Sequence, residues 1–347
     1  MSSSRARIFV AVVALVLAGV AALVVLLVRG EDEQSESQPP TEPVLPLLGV
    51  NGEVPRQPAL AVKIDNTEPA RPPTGLTRAD VVFEEMVEGG LTRLLAAYHS
   101  QDPDEVGPVR SARSTDLFIL AELGRPLFAW SGANPTFAAA VEAADLVDVG
   151  VSAVPDAYRR ASERSAPYNL YASPAGLRDA AGNREAASTP PSPLFSYRRP
   201  GAPLVAPDAE PAVGFRTTGS GDLSTEIDWE WDGSSGSWLR SQDGTPHVDL
   251  DGERVRAANV IVRFTPYRDS GVRDSTGAVV PEAEAVGEGE AWLLSDGQAQ
   301  AGSWRKPSSA APTTYTDADG TPFQLTPGPT WVEILPPESG TVRGQSE

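Results

Sequence analysis

The chain has 347 residues, with 47 acidic against 28 basic side chains, no cysteine and two histidines. That length suits two folded domains, and 40% hydrophobic residues suffice for a sizeable core. The missing cysteines exclude disulfides, thiolate nucleophiles and cysteine lipidation, and two histidines argue against a metal centre. A net charge of −19 excludes nucleic acid as a partner, because phosphate backbones are held by cationic surfaces.

Residues 8–28 form an uninterrupted apolar run, long enough as a helix to cross about 30 Å of hydrocarbon. Arg5 and Arg7 precede it, and Glu31, Asp32, Glu33 and Glu36 follow. Residues 1–30 therefore read as a cytoplasmic tip and a single-pass transmembrane signal anchor in the cell membrane, with the C-terminal domains extracytoplasmic. The competing reading is a signal peptide cut near Gly19-Val20-Ala21, but the apolar run extends well past that point. Residues 31–48, acidic and then rich in proline, read as a disordered linker.

Residues 49–189 alternate strand-like and helix-like stretches. Strands are expected at 59–64, 81–87, 91–98 and 127–130, and helices at 114–123, 135–144 and 173–181. This implies a mixed-sheet α/β domain. Gly89-Gly90 between two strand-like runs signals a two-residue hairpin, with Glu88 opposite Leu91, Met86 opposite Arg93 and Glu84 opposite Leu95. Alternation then puts Asp80, Glu84, Glu88, Arg93 and His99 on one face. The other face is apolar, with Glu85 as its exception. The polar face is either an exposed ion-pair surface or the floor of a pocket.

Gly107-Pro108-Val109-Arg110-Ser111-Ala112-Arg113-Ser114 runs from a turn into a helix, which Ser111 or Ser114 could cap. Two guanidinium groups near a helix start favour an anion. Asp65-Asn66 closes the first strand and Arg71 follows in the next loop, where binding residues commonly sit. The candidate ligand-binding set is therefore Asp65, Asn66, Arg71, Glu84, Glu88, Arg93, Arg110 and Arg113, with Arg110 and Arg113 expected to share a pocket with the Asp65-Asn66 loop.

Residues 190–211 are rich in proline and read as a linker. Residues 212–337 carry Asp-Gly turns between aromatic strands, which argues a smaller β-rich domain. Five of the seven tryptophans lie between 229 and 304 and are expected to fill its core. His247, with Asp249 and Asp251 after it, is weak grounds for a metal or a catalytic group. Residues 338–347 read as a disordered tail.

Several segments together resemble the YerB-like lipoprotein family, known as domain of unknown function 3048, in a member without the lipobox cysteine. They include Pro58-Ala-Leu-Ala-Val-Lys-Ile-Asp-Asn66, Ala79-Asp-Val-Val-Phe-Glu-Glu85, Val87-Glu-Gly-Gly-Leu-Thr-Arg93, Val106-Gly-Pro-Val-Arg-Ser-Ala-Arg113 and Pro327-Gly-Pro-Thr-Trp-Val332. The resemblance spans about residues 47–337 and implies a membrane-tethered bacterial envelope protein, with no activity to transfer. Val20 stands where a lipobox would require cysteine.

The residues contain no nucleophilic triad, metal motif or phosphate loop, and no cofactor is implied. The leading expectation is a membrane-tethered binding or scaffold protein without catalysis, facing cell-wall glycan or another anionic ligand. The alternative is a carboxylate-dependent hydrolase of cell-wall glycan, using Glu84 or Glu88 with Asp65 or Asp80 as acid and base.

Overall fold

The structure, a computed structural model, describes residues 43–182, 189–199, 201–202, 204, 206, 208–217, 223–274 and 276–344. The anchor expected at 8–28 lies outside these described residues, and among them no helix is long and apolar enough to cross a membrane. The first half supplies β1 (Leu60–Asp65), β2 (Val81–Met86), β3 (Thr92–Tyr98), α1 (Ser114–Leu120), β4 (Leu127–Ala129), α2 (Pro135–Ala143), β5 (Val147–Asp148) and α3 (Pro174–Ala181). The second half supplies β6 (Glu210–Thr217), β7 (Ile227–Asp232), β8 (Ser237–Gln242), β9 (Asn259–Phe264), β10 (Tyr267–Arg273) and β11 (Val279–Ala283). It continues with β12 (Gly287–Ser295), β13 (Gln298–Lys306), β14 (Thr330–Leu335) and β15 (Gly340–Gly344).

One mixed sheet runs through both halves in the order β8-β7-β6-β13-β12-β9-β14-β2-β3-β1-β4-β5. Its seam is β14, which pairs in parallel with β9 on one side and with β2 on the other. Residues from Pro43 onward form a single compact unit. β10 and β11 pair only with each other among these strands and stand off as a separate ribbon.

Strands near the seam are buried on both faces, which explains their near-continuous apolar runs. One core gathers Leu60, Val62, Ile64, Val82, Leu94, Trp229, Trp238 and Trp331. The other gathers Ala61, Phe83, Leu95, Phe128, Ile119, Leu293 and Trp304. The tryptophans of the second half thus serve mainly as core, as their spacing suggests.

Described residues in three segments, two expected to be disordered and one to be a linker, are packed against the fold instead. In the expected 31–48 linker, Leu47 is buried and its carbonyl accepts a hydrogen bond from the Tyr197 hydroxyl. In the expected 190–211 linker, Ser196–Tyr197 pair with Gln324–Leu325, and Phe195 packs against the second core. In the expected tail, β15 pairs antiparallel with β6. In each case a few aromatic or β-branched side chains outweigh the proline and glycine around them.

Candidate functional site

The β2–β3 turn decides which charges meet. The Val87 N–H donates to the Leu91 carbonyl at 2.7 Å, so Glu88, Gly89 and Gly90 form a three-residue loop. Gly89 and Gly90 both take φ of 70°, and Ser224 binds the Gly89 and Gly90 carbonyls from outside. The expected two-residue turn is therefore one residue short. The observed register places Glu85 opposite Arg93 and Glu84 opposite Leu94. A shift of one residue moves side chains to the other face. Arg93 joins Glu85, Lys63 and Asp65, while Glu84 joins Asn66 and Thr92 on the reverse side. The assignment of Glu84 and Arg93 to one face is corrected accordingly.

Arg93, Arg110, Arg113 and Glu88 line a cleft of about 500 Å³. Its far wall is Ala133, Pro135 and Phe137 with Val280, and Arg273 and Asp274 approach from the β10–β11 ribbon. Asp65 lies at its base: the Arg110 Nε–H donates to Asp65 Oδ2 at 2.6 Å, and Thr67 binds the other oxygen. Glu88 is held by Arg113, 2.7 Å from Nη2. Neither serine caps α1. The Asp116 carboxylate accepts the Arg113 backbone N–H at 2.7 Å instead, and the Ser111 hydroxyl turns to the Ser131 carbonyl.

Arg93 is the exception in this group. It is 7% exposed, and among the described residues no carboxylate lies within ion-pair distance of it. Its Nη1 donates to the Ser111 carbonyl at 3.3 Å, and its Nε has no partner. Burial first, then the neighbouring Arg113 and Arg110, bring its pKa down to about 10. A buried cation beside two others is costly unless something anionic offsets it.

The remaining candidates lie elsewhere. Glu84 is fully buried, and Arg240 Nη2 sits 2.8 Å from both of its oxygens. Asn66, Thr92 and Trp331 also donate to it. Arg240 in turn contacts the Gln242 side chain and His247 Nδ1, and its guanidinium lies over the Trp331 ring. Glu333 takes the Trp229 indole N–H at 2.8 Å, and burial together with nearby Glu84 holds its carboxyl well above the usual range. Arg71 binds Asp243 at this end of the molecule, away from the arginine cleft. Asp80 accepts backbone N–H groups of His99 and Ser100, a loop-fixing role. Glu84 thus has no access to a polymer. His247 belongs to this buried network, with no metal cluster among the described residues.

Sequence reasoning passed over Lys63, Arg240 and Glu333. The available signal was a charged residue inside an otherwise apolar strand, as in Leu-Ala-Val-Lys-Ile and Trp-Val-Glu-Ile-Leu.

Two family profiles match the chain: the N-terminal domain of DUF3048, described as a protein of unknown function, at residues 47–187, and its C-terminal domain at 220–332. The chain is 28% identical over 318 residues to YerB of Bacillus subtilis (strain 168), a protein that carries a lipoprotein name. That match covers 88% of this chain and 90% of that one. The fold is similar to the crystal structure of the YerB protein from Bacillus subtilis, with a TM-score of 0.74 and 24% identity, covering 87% of this chain and 99% of that one. With both of its domains present in order, the chain belongs to the DUF3048 family.

Proposed function

We propose that the chain is a membrane-tethered envelope protein whose arginine cleft binds an anionic ligand without transforming it. The observation that carries this reading is Arg93, buried, without a carboxylate partner and flanked by two further guanidiniums. Charge-assisted bonds from guanidinium forks suit carboxylate and phosphate groups. The apolar wall of Pro135, Phe137 and Val280 would take the uncharged part of such a ligand. An envelope location is supported by the apolar run at 8–28, the acidic segment after it, and the lipoprotein name of the Bacillus relative.

Cell-wall polymers carry carboxylates and phosphates, so sacculi are the test material. Full-length protein in detergent should sediment with purified sacculi, inorganic phosphate should compete, and Arg93→Met should weaken binding by about tenfold or more. No muropeptides should be released. Release would favour the hydrolase, and unchanged binding by Arg93→Met would remove the cleft from the account. A mature N-terminus near Ala22 would replace the anchor with a cleaved signal.

A further inference from the structure

Beneath the cleft, three ionisable side chains meet in a fully enclosed space. Lys63 on β1 and Glu85 on β2 reach over β3 from opposite sides, their strands about 10 Å apart. Asp116, from the first turn of α1, completes the group. Lys63 Nζ lies 2.8 Å from Asp116 Oδ1 and in direct contact with Glu85 Oε1, and the three side chains are 0–1% exposed. Ala61, Phe83, Leu95 and Ile119 belong to the same apolar core.

The two carboxylates have different surroundings. Asp116 Oδ2 accepts the Arg113 backbone N–H at 2.7 Å, whereas Glu85 Oε2 has no partner. Burial holds the Glu85 carboxyl above its usual range, partly opposed by Lys63. A lysine amine that has given up a proton is a nucleophile, and Glu85, in direct contact with Nζ, is placed to take that proton.

We propose that Lys63 and Asp116 condense into a side-chain amide in the folded chain, with Glu85 carrying the proton. The Lys63 amine attacks Cγ of Asp116, and the Nζ–Cγ bond forms as negative charge collects on Oδ2, where the Arg113 N–H receives it. Glu85 carries two protons from nitrogen to Oδ1 in turn, one before the attack and one after it. The Cγ–Oδ1 bond then breaks and Oδ1 leaves as water. An ammonium and a carboxylate become one secondary amide and one water, Glu85 is regenerated, and no oxidant or further reactant is consumed. Fixed contact between the reacting groups supplies the high effective concentration that an uncatalysed amide synthesis lacks. The bond ties residues 53 positions apart, β1 to α1, at the base of the cleft.

Tryptic digestion of the purified full-length protein, followed by mass spectrometry, tests this. The wild type should yield the Lys63 peptide joined to the Asp116 peptide, uncut at Lys63 and lighter than the two together by one water. The link should survive boiling in urea. Glu85→Gln, close to isosteric, should fold with an unchanged circular-dichroism spectrum and yield the two peptides separately. Wild-type protein cut at Lys63 into unlinked peptides overturns the proposal, whether or not the variant folds. Fragment ions placing the link on Glu85, or full linkage in Glu85→Gln, overturn the assigned roles.

Discussion

Arg93 carries an electrostatic cost that nearby Glu88 and Asp65 offset only in part. Its depressed pKa means that the folded state disfavours the charge, so the cost is present at pH 7 and is relieved only above pH about 10. Arg93→Met is therefore expected to raise the stability of the ligand-free protein by about 1–3 kcal/mol, read by urea denaturation at pH 7. A loss of that size would make Arg93 a structural cation and undercut the anion reading. His247 sets a pH dependence of the same sign in a lower pH range. Arg240 can only donate, so His247 Nδ1, 2.7 Å away, accepts and the ring is neutral. Burial first, then Arg240, Arg71 and Arg254, push its pKa well below the usual histidine value. The unfolded chain gains a proton as pH falls through about 6.5 while the folded chain does not, so this contribution is intact above that pH and lost below it. Between pH 7 and pH 5 wild type should lose about 2 kcal/mol more than His247→Gln, which keeps an acceptor without titrating. An equal loss would mean a protonated His247. At this scale Asp65, Arg110 and Arg113 were legible, because a strand end and a helix start commonly meet at one sheet edge. Glu84 was not, since its face depended on a turn one residue longer than Gly-Gly suggests.

The elements themselves were largely written in the chain. β14 spans 330–335 as its apolar run suggests, and Ser173 caps α3 through the Gly176 N–H. Much of β6, β13 and the β10–β11 ribbon went unread, because their alternation is broken by glycine, proline and charge. Turn chemistry makes a sharper test than turn position. Gly89 and Gly297 have nearly equal φ, 70° and 71°, so an added Cβ meets the same left-handed backbone strain at each. Around Gly89 the space is open, whereas at Gly297 the Cβ would stand 2.7 Å from Trp231 Nε1. Gly89→Ala should therefore cost about 1 kcal/mol, and Gly297→Ala about 2–4 kcal/mol, by chemical denaturation. Equal costs would mean that Trp231 moves aside freely.

At the scale of the whole molecule, no local signal could announce that residues 330–335 insert between β2 and β9. The pairing with β2 joins segments about 250 residues apart, and sequence periodicity reports faces, not partners. The physical clue was the complete burial of these strands, which requires cover on both faces. The junction is also where Glu84 of the first half meets Arg240 of the second, both fully enclosed. Removing one partner strands a buried charge, so Glu84→Leu should cost about 3–5 kcal/mol. Adding Arg240→Met should recover part of that loss, because the orphaned guanidinium goes with it. If the halves share one folding transition, the single variant lowers hydrogen-exchange protection in β3 and β7 together. Protection lost in β7 but kept in β3 would instead show two units that unfold separately, despite the sheet that joins them.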